Sequence, residues 1–185
     1  MRNTFRMIGV LTIIGFISGA SLVLIYAYAS PLIKNNQEEE TRGAIFKIFP
    51  DAKNITSQSS DKETVFVVKN ANGALLGYAF LAEGNGYQGK IKMMAGIRPD
   101  LTTLAGIEVL ESQETPGLGQ EITQDKFRSQ FRGLKTKPEI TYVKNKLPEK
   151  PGEIQAVTGA TISSSAVVSI LNNKIMAIRE GLTKK

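Results

Sequence analysis

The chain has 185 residues, of which 42% are hydrophobic and 22% are charged, and its 23 Lys and Arg residues outnumber its 17 Asp and Glu residues. This length predicts one globular domain with an accessory segment. The absence of Cys, His and Trp excludes zinc or iron–sulfur sites built on Cys, haem held by His, and every nucleophile that depends on a His base.

The N-terminal part of the chain has the composition of a membrane span. No charged residue occurs from Met7 to Tyr28, and a helical run of this length reaches roughly 33 Å, enough to cross a hydrocarbon core of about 30 Å. We predict a transmembrane helix over residues 7–29 that Pro31 brings to an end. A cleaved signal peptide is the alternative, because Ala27-Tyr28-Ala29 has the small-x-small form of a cleavage site, although the apolar run is longer than such a peptide needs.

The charges around this span predict its orientation. Arg2 and Arg6 lie in the short segment before it, which favours a cytoplasmic N-terminus over residues 1–6 and places residues 30–185 outside. We therefore expect a single-pass protein of the cell inner (cytoplasmic) membrane, in contact with membrane lipid. The excess of basic residues beyond the span is too small to indicate a nucleic-acid partner.

Beyond the span, the pattern predicts a helix followed by a sheet. Residues 30–50 predict a membrane-exit helix that Pro50 stops, and residues 51–62 are polar and loop-like. Four β-branched and aromatic runs follow, at Thr64–Val68, Ala74–Ala82, Lys90–Ile97 and Leu101–Leu110. Turn sequences separate them, at Asn70–Gly73, Glu83–Gly86 and Arg98–Asp100. Strands with such short connections predict an antiparallel meander.

The next segment combines a short helix with a possible fifth strand. Phe127 and Phe131 stand at helical spacing, which predicts an amphipathic helix over roughly 123–132, capped by Thr123, with both aromatic rings in the core. The β-branched and aromatic residues of Ile140–Val143 are typical of a strand.

The C-terminal region predicts a loop and then a long helix. Residues 144–152 are rich in Lys and Pro and are expected to be a loop. Residues 162–182 carry apolar residues at helical spacing, and Gly181 is expected to end this helix. Together these elements predict an α+β domain over residues 51–185, outside the membrane and tethered by one membrane helix.

The segment from Ala156 to Ser164 carries the strongest indication of chemistry. Gly159 permits an unusual backbone conformation, Thr161 stands at the expected N-cap of the last helix, and Ser163 follows in the first turn. Free N–H groups and the helix dipole converge at such a point and favour a phosphate. The alternative is that small residues here only start a helix and let it pack closely on the preceding strand.

A second candidate element is the run Glu114-Thr-Pro-Gly-Leu-Gly119. Its Pro-Gly pair favours a type II turn, and its two glycines would let the backbone approach a flat ring or a phosphate; an ordinary surface turn is the alternative. The glycines at positions 84, 86 and 89 lack the strand–loop–helix context of a dinucleotide fingerprint and predict turns instead.

These motifs make the sequence similar to a known family. Thr158-Gly-Ala-Thr161-x-Ser163 resembles the flavinylation motif of the FMN-binding domain family. More narrowly, the whole chain resembles the G subunits of Rnf (Rsx) electron-transport complexes. The membrane helix, the Phe49-Pro50 exit, the Gly86–Ile97 segment and Glu114–Gly119 with the Phe127/Phe131 helix complete the resemblance.

The resemblance implies a covalently bound flavin. The hydroxyl of Thr161 would be esterified to the FMN phosphate, and a separate extracytoplasmic flavin transferase would install the group from FAD. The implied cofactor contacts are Thr158, Gly159, Ala160, Ser163 and Ser164 in one segment, and Glu114, Thr115, Gly117, Leu118 and Gly119 in the other. No catalytic acid or base and no metal site is expected, because the flavin carries the redox chemistry.

The resemblance also implies a function and partners. In that family, a membrane complex of several subunits passes electrons between ferredoxin and NAD⁺ and couples the transfer to Na⁺ or H⁺ translocation. The C subunit of the Na⁺-pumping NADH:quinone oxidoreductase shares the motif family and is the alternative of the same class, although it is typically longer. A membrane-tethered binding or assembly module without redox chemistry is the alternative of a different class.

One position departs from the family pattern. The family usually has Asp six residues before the acceptor Thr, and this chain has Gln155 there. Gln keeps the capacity to form hydrogen bonds but loses the charge. If that carboxylate assists the transferase, flavin attachment to this chain is expected to be slower.

Overall fold

The computed structural model describes residues 2–60 and 63–183. The chain divides into two compact units, one up to Thr41 and the other from Arg42 onward. Helix α1 (Arg2–Ile48) forms all of the first unit, and its last turns begin the second. By length and composition α1 can cross a membrane, and its large apolar side chains between residues 5 and 33 are exposed.

The prediction that Pro31 ends the first helix is wrong, because α1 continues through this residue to Ile48. A proline inside a helix removes one backbone hydrogen bond. Pro31 therefore costs α1 one backbone hydrogen bond without interrupting the helix. The predicted stop at Pro50 agrees with the structure, since the helix ends two residues earlier.

The second unit is built on an antiparallel sheet of five strands in sequential order, and this confirms the predicted meander. Its strands are β1 (Asn54–Ser60), β2 (Glu63–Lys69), β3 (Leu75–Asn85), β4 (Lys90–Ile97) and β5 (Leu104–Ser112). The loop predicted over residues 51–62 is wrong for residues 54–60, because β1 pairs with β2 in register from Asn54↔Lys69 to Ser60↔Glu63; residues 61 and 62 lie outside the described residues. An edge strand needs a partner on one side only and has solvated side chains, so its polar composition does not prevent pairing.

The largest differences from the predicted strand boundaries are at the end of β3 and the start of β5. β3 continues to Asn85, so the turn before β4 occupies residues 86–89 rather than 83–86, and the Gly86 N–H donates to the Gly89 carbonyl at 2.7 Å. β5 begins at Leu104 rather than Leu101, which has a φ of 54°. That positive φ is incompatible with strand geometry and keeps the chain in a turn.

The predicted helix over 123–132 is broken into a 3₁₀ turn (Gly119–Thr123), α2 (Asp125–Arg128) and a second 3₁₀ turn (Ser129–Phe131). Thr123 does not cap it, because its hydroxyl donates to the Gln120 carbonyl at 2.9 Å. Phe127 and Phe131 are buried as predicted, and their rings meet edge to face with centroids 5.3 Å apart.

The remaining elements are a small sheet and the last helix. β6 (Thr141–Val143) confirms the fifth predicted strand and pairs in parallel with β7 (Glu153–Gln155). Helix α3 (Thr161–Thr183) passes through Gly181, so the predicted end at that glycine is wrong. Gly181 does not have the positive φ of a helix C-cap glycine.

The central sheet of the second unit is covered on both faces. One face packs against α3 through a large apolar cluster that includes Phe80, Met93, Phe131, Val167 and Leu171. The other face packs against the end of α1, through Ile45 and Ile48, and against Phe49 directly after it. A side chain at Gly96 would come within 2.6 Å of Ile48 and Phe49, so this glycine lets the helix end lie directly on β4.

Candidate functional site

A tight turn at Gly159 delivers the chain from β7 into α3. Gly159 has a φ of +82°, a conformation that favours glycine. The Ala160 N–H donates to the Val157 carbonyl, and the Ala160 carbonyl accepts from the Ser164 N–H, both at 3.0 Å. Ala160 therefore holds the N-cap position, and Thr161 is the first residue of the helix rather than the predicted N-cap.

The first turn of α3 offers three backbone donors. Within residues 2–60 and 63–183, the N–H groups of Thr161, Ile162 and Ser163 donate to no protein acceptor. They stand at the positive end of the helix dipole, which favours an anion. Thr161 is half-buried, so part of this residue remains accessible from solvent at the point where the donors begin. This arrangement fits a phosphate ester, since backbone N–H groups are good donors to its charged oxygens.

The two serine hydroxyls of the motif are engaged inside the protein. Ser164 is fully buried; its Oγ donates to the Ala160 carbonyl and accepts from the Val157 N–H, both at 3.0 Å. Ser163 is also buried, and its Oγ donates to Glu114 Oε2 at 2.6 Å. The sequence predicts that these hydroxyls contact a phosphate, but the structure directs both of their protons to protein acceptors.

The Glu114–Gly119 loop has the predicted type II turn. The Leu118 N–H donates to the Thr115 carbonyl at 3.2 Å, and Gly117 has a φ of +72°. Leu118 is exposed, and a Cβ built on Gly159 would lie 3.3 Å from its Cδ2. The structure therefore brings the two sequence motifs into contact.

Glu114 lies beneath this loop and not on its surface. Its side chain is 5% exposed. Oε1 accepts from the Tyr87 N–H at 2.7 Å and from the Gln88 N–H at 3.1 Å, while Oε2 accepts from Ser163. The neighbouring Thr115 hydroxyl donates to Gln88 Oε1. The sequence predicts a cofactor contact for Glu114, and the structure instead surrounds its carboxylate with protein donors.

Several members of the predicted site remain accessible beside Thr161. Thr158, Gly159, Gly117 and Leu118 are exposed, whereas Ala160 and Gly119 are buried. Sequence reasoning missed Ile162, which follows Thr161 and is 57% exposed. The sequence does contain a signal for an exposed apolar residue at this position. Ile162 stands at the start of the helix but outside the apolar stripe that faces the core.

A cavity of about 290 Å³ lies between the α2 region and the segment from Gln155 to Thr158 that follows β7. On the wall of this cavity, the side-chain amide of Gln130 forms two hydrogen bonds with the backbone of Gln155. It accepts from the N–H at 2.7 Å and donates to the carbonyl at 3.2 Å. Gln155 itself lines the cavity. In the described part of the chain, no group of three or more acidic side chains is placed to hold a metal ion.

The chain is similar to a known domain family and to subunits of known membrane complexes. Residues 86–176, which contain both motifs, match the family model of the FMN-binding domain. The chain is 31% identical to the G subunit of the ion-translocating oxidoreductase complex of Methanosarcina acetivorans, over 92% of each chain. It is 33% identical to the G subunit of the proton-translocating ferredoxin:NAD(+) oxidoreductase complex of Clostridium ljungdahlii, over 85% of this chain and 82% of that relative.

A solved structure shares the fold. The crystal structure of Shewanella oneidensis NqrC superposes with a TM-score of 0.57 and is 24% identical, covering 70% of this chain and 73% of that one. At this level of identity the likeness supports the shared fold and carries no assignment of function.

Proposed function

Because the chain belongs to the family of G subunits of ion-translocating oxidoreductase complexes and contains an FMN-binding domain, we propose that it is the flavin-carrying electron-transfer subunit of such a complex. In this proposal the complex couples electron transfer between ferredoxin and NAD⁺ to the translocation of Na⁺ or H⁺. The chain acts as one redox subunit of this translocase and not as an autonomous enzyme. The likeness to the G subunits extends over nearly the whole chain, which favours this assignment over the C subunit of the NADH:quinone oxidoreductase.

We propose further that the FMN is bound covalently to Thr161. The observation that carries this proposal is the half-buried position of Thr161 in a first helical turn whose three leading N–H groups have no acceptor among the described residues. Ser163 and Ser164 in the same motif are buried with their protons engaged, so they are poor acceptors of a bulky group. When bound, the flavin supplies the redox chemistry, and the protein supplies attachment and orientation.

The attachment step needs a flavin transferase and FAD. Thr161 Oγ1 forms the new bond to the phosphorus of the FMN half, the phosphoanhydride bond of FAD breaks, and AMP leaves. The hydroxyl proton passes to a base of the transferase. The backbone N–H groups of Thr161, Ile162 and Ser163 then stabilise the charge of the phosphodiester.

The exposed parts of the two motifs support contacts to the rest of the flavin. Leu118 and Gly117 offer an apolar side chain and open backbone, and Thr158 and Gly159 line the other side of the attachment point. Glu114, Ser163 and Ser164 act from below this surface. Gln155 lies on the wall of the neighbouring cavity. If the transferase attaches FMN more slowly to this chain, the missing carboxylate at position 155 would be the cause.

The attachment is tested in membranes from a host with an active flavin transferase. The wild-type chain should fluoresce as a flavoprotein after denaturing electrophoresis and should carry an FMN-sized mass increase on the peptide containing Thr161. T161A should lose both signals, and T158A, which removes the other exposed hydroxyl of the motif, should keep them. An unmodified wild-type peptide in this host would favour the assembly module instead.

We also propose that residues 42–183 lie on the extracytoplasmic side, where the transferase and the other subunits of the complex would meet them. Arg2 and Arg6 before the apolar run of α1 support a cytoplasmic N-terminus, and lipid would cover the exposed apolar side chains of the span. Alkaline phosphatase fused after the C-terminus should be active in whole cells, and a cytoplasm-dependent fluorescent protein at the same place should be dark. The reverse pattern would contradict this orientation.

A further inference from the structure

The Glu114 carboxylate joins three segments that are far apart in sequence. Oε1 accepts from two backbone N–H groups of the turn between β3 and β4, and Oε2 accepts from Ser163 in the first turn of α3. Glu114 itself begins the type II turn loop that reaches Leu118. One side chain thus connects the hairpin turn, the Pro-Gly loop and the helix on which Thr161 stands.

Two glycines make room for this carboxylate. A Cβ at Gly86 would lie 2.1 Å from Glu114 Oε1, and a Cβ at Gly119 would lie 2.4 Å from Oε2 and 2.7 Å from Ser163 Oγ. Neither glycine has a positive φ, so the close approach and not the backbone conformation requires glycine at these positions. Both glycine positions therefore accommodate a carboxylate that is enclosed by the protein.

The hydrogen bonds of this enclosure favour the ionised form of the carboxylate. Burial on its own raises the pKa of Glu114, but the hydrogen bonds from the Ser163 hydroxyl and from the N–H groups of residues 88, 87 and 89 outweigh it and hold the pKa below the usual value of 4.5. Among the described residues Glu114 forms no ion pair, so its donors are neutral. An anion of this kind next to the start of α3 also interacts favourably with the helix dipole.

An ionised Glu114 fixes the direction of the Ser163 hydroxyl. A carboxylate only accepts hydrogen bonds, so the Ser163 proton must point to Oε2 and away from the flavin attachment point. The backbone of Ser163 is held at the same time, and its N–H group is one of the three in this turn that have no acceptor in the described part of the chain. The position of these donors relative to the Pro-Gly loop therefore depends on the Glu114–Ser163 hydrogen bond.

We propose that Glu114 is a positioning residue for covalent flavin attachment, acting through Ser163 to hold the first turn of α3 in register with the loop that faces the flavin. This inference rests on the proposed function of Thr161. It differs from the cofactor contact that the sequence predicts for Glu114, because the carboxylate acts from the protein side and does not touch the flavin.

The test measures the rate of FMN attachment to the purified full chain in detergent, with FAD and the transferase. In E114Q the side-chain oxygen can still accept from the hairpin turn, but the NH₂ group must then donate to Ser163 and reverse its hydroxyl. We expect attachment to slow by about tenfold or more, since small misplacements of reacting groups have effects of this size. S163A should slow it similarly, and E114Q/S163A should be no slower than the slower single variant.

Asp100 provides a matched control. Its carboxylate likewise accepts from two backbone N–H groups and one hydroxyl, those of Thr102 and Thr103, but it does not contact either motif. D100N should therefore lower the melting temperature while leaving the attachment rate at the wild-type value. All rates are measured at a temperature at which each variant is folded by circular dichroism.

Two outcomes would overturn the inference. Attachment to E114Q at the wild-type rate would show that the carboxylate does not position the turn. Equal slowing in E114Q and D100N, in proportion to lost stability, would show that Glu114 has only a structural role. A wild-type chain that accepts no FMN at Thr161 would instead overturn the proposed function itself.

Discussion

Asp100 shows how a single carboxylate organises a turn in this protein. It accepts from the Thr102 N–H at 2.8 Å, the Thr103 N–H at 2.9 Å and the Thr103 hydroxyl at 2.6 Å. Desolvation raises its pKa, but these hydrogen bonds more than compensate and lower the pKa from 3.8 to about 2. The turn therefore depends on the charged form of Asp100.

This pKa predicts how stability depends on pH. Because the folded-state pKa is depressed, the contribution of Asp100 is complete above about pH 4 and is lost as the pH falls through about 2. D100N should lower the free energy of unfolding by about 1 kcal/mol at pH 7, a value reduced for the solvent exposure of this residue. Urea denaturation between pH 7 and pH 2 should show the difference from wild type shrinking towards zero at the acid end; a constant difference would contradict the assignment.

For single residues, the sequence predicts the backbone conformation of a turn better than it predicts which groups a side chain contacts. Gly117 and Gly159 have the positive φ that their motifs require. This could be predicted because the conformation of a tight turn depends on residues that are adjacent in sequence. The burial of Glu114 could not be predicted, since it depends on N–H groups of a hairpin turn about 27 residues earlier in the chain. The engagement of Ser163 follows from the same long-range contact.

At the scale of helices and strands, the spacing of apolar residues predicts which side chains are buried more reliably than it predicts whether a helix is continuous. Phe127 and Phe131 face the core as their spacing requires, yet the backbone around them is three short helices and not one. Strand β1 shows the converse, because a polar stretch pairs along its full length at a sheet edge. The positions of β2, β4 and α3 follow from local composition, and that of β1 follows from the availability of an open edge on β2.

The packing around the short helices gives a prediction for stability. Phe131 has no exposed surface, and its ring packs edge to face against Phe127. F131A should lower the free energy of unfolding by about 3–5 kcal/mol, because it removes buried apolar surface and leaves a cavity. Guanidinium denaturation checks this, with F46A as the control, since Phe46 is 41% exposed. A loss for F131A no larger than that for F46A would contradict the role of Phe131 in the core.

For the molecule as a whole, the two apolar clusters set the limits of the folded domain. Both clusters consist of residues from Ala44 onward, and they cover the two faces of the central sheet. Among the residues whose burial is described, the helical unit before Arg42 contributes none to either cluster. The second unit thus has the complete core that an independently folding domain needs.

This division predicts the behaviour of a shortened chain. Removal of residues 2–41 should transfer the protein from the membrane to the soluble fraction and leave a single cooperative unfolding transition, because the core is unchanged. Fractionation and thermal unfolding by circular dichroism measure both effects, with the full chain in detergent as the reference. Aggregation or a transition without cooperativity would show that the first unit is needed for folding.

The donors at the start of α3 belong to the main chain, and this has a consequence for how the attachment point can vary. Every amino acid except proline brings an N–H group, so in the proposed attachment the side chain at position 162 is not needed to donate a hydrogen bond to the phosphate. If FMN is attached at Thr161 as we propose, that position is free to adapt to whatever covers the flavin, while the backbone donors to the phosphate stay the same. Saturation of this codon should therefore leave proline as the one substitution that removes a phosphate donor.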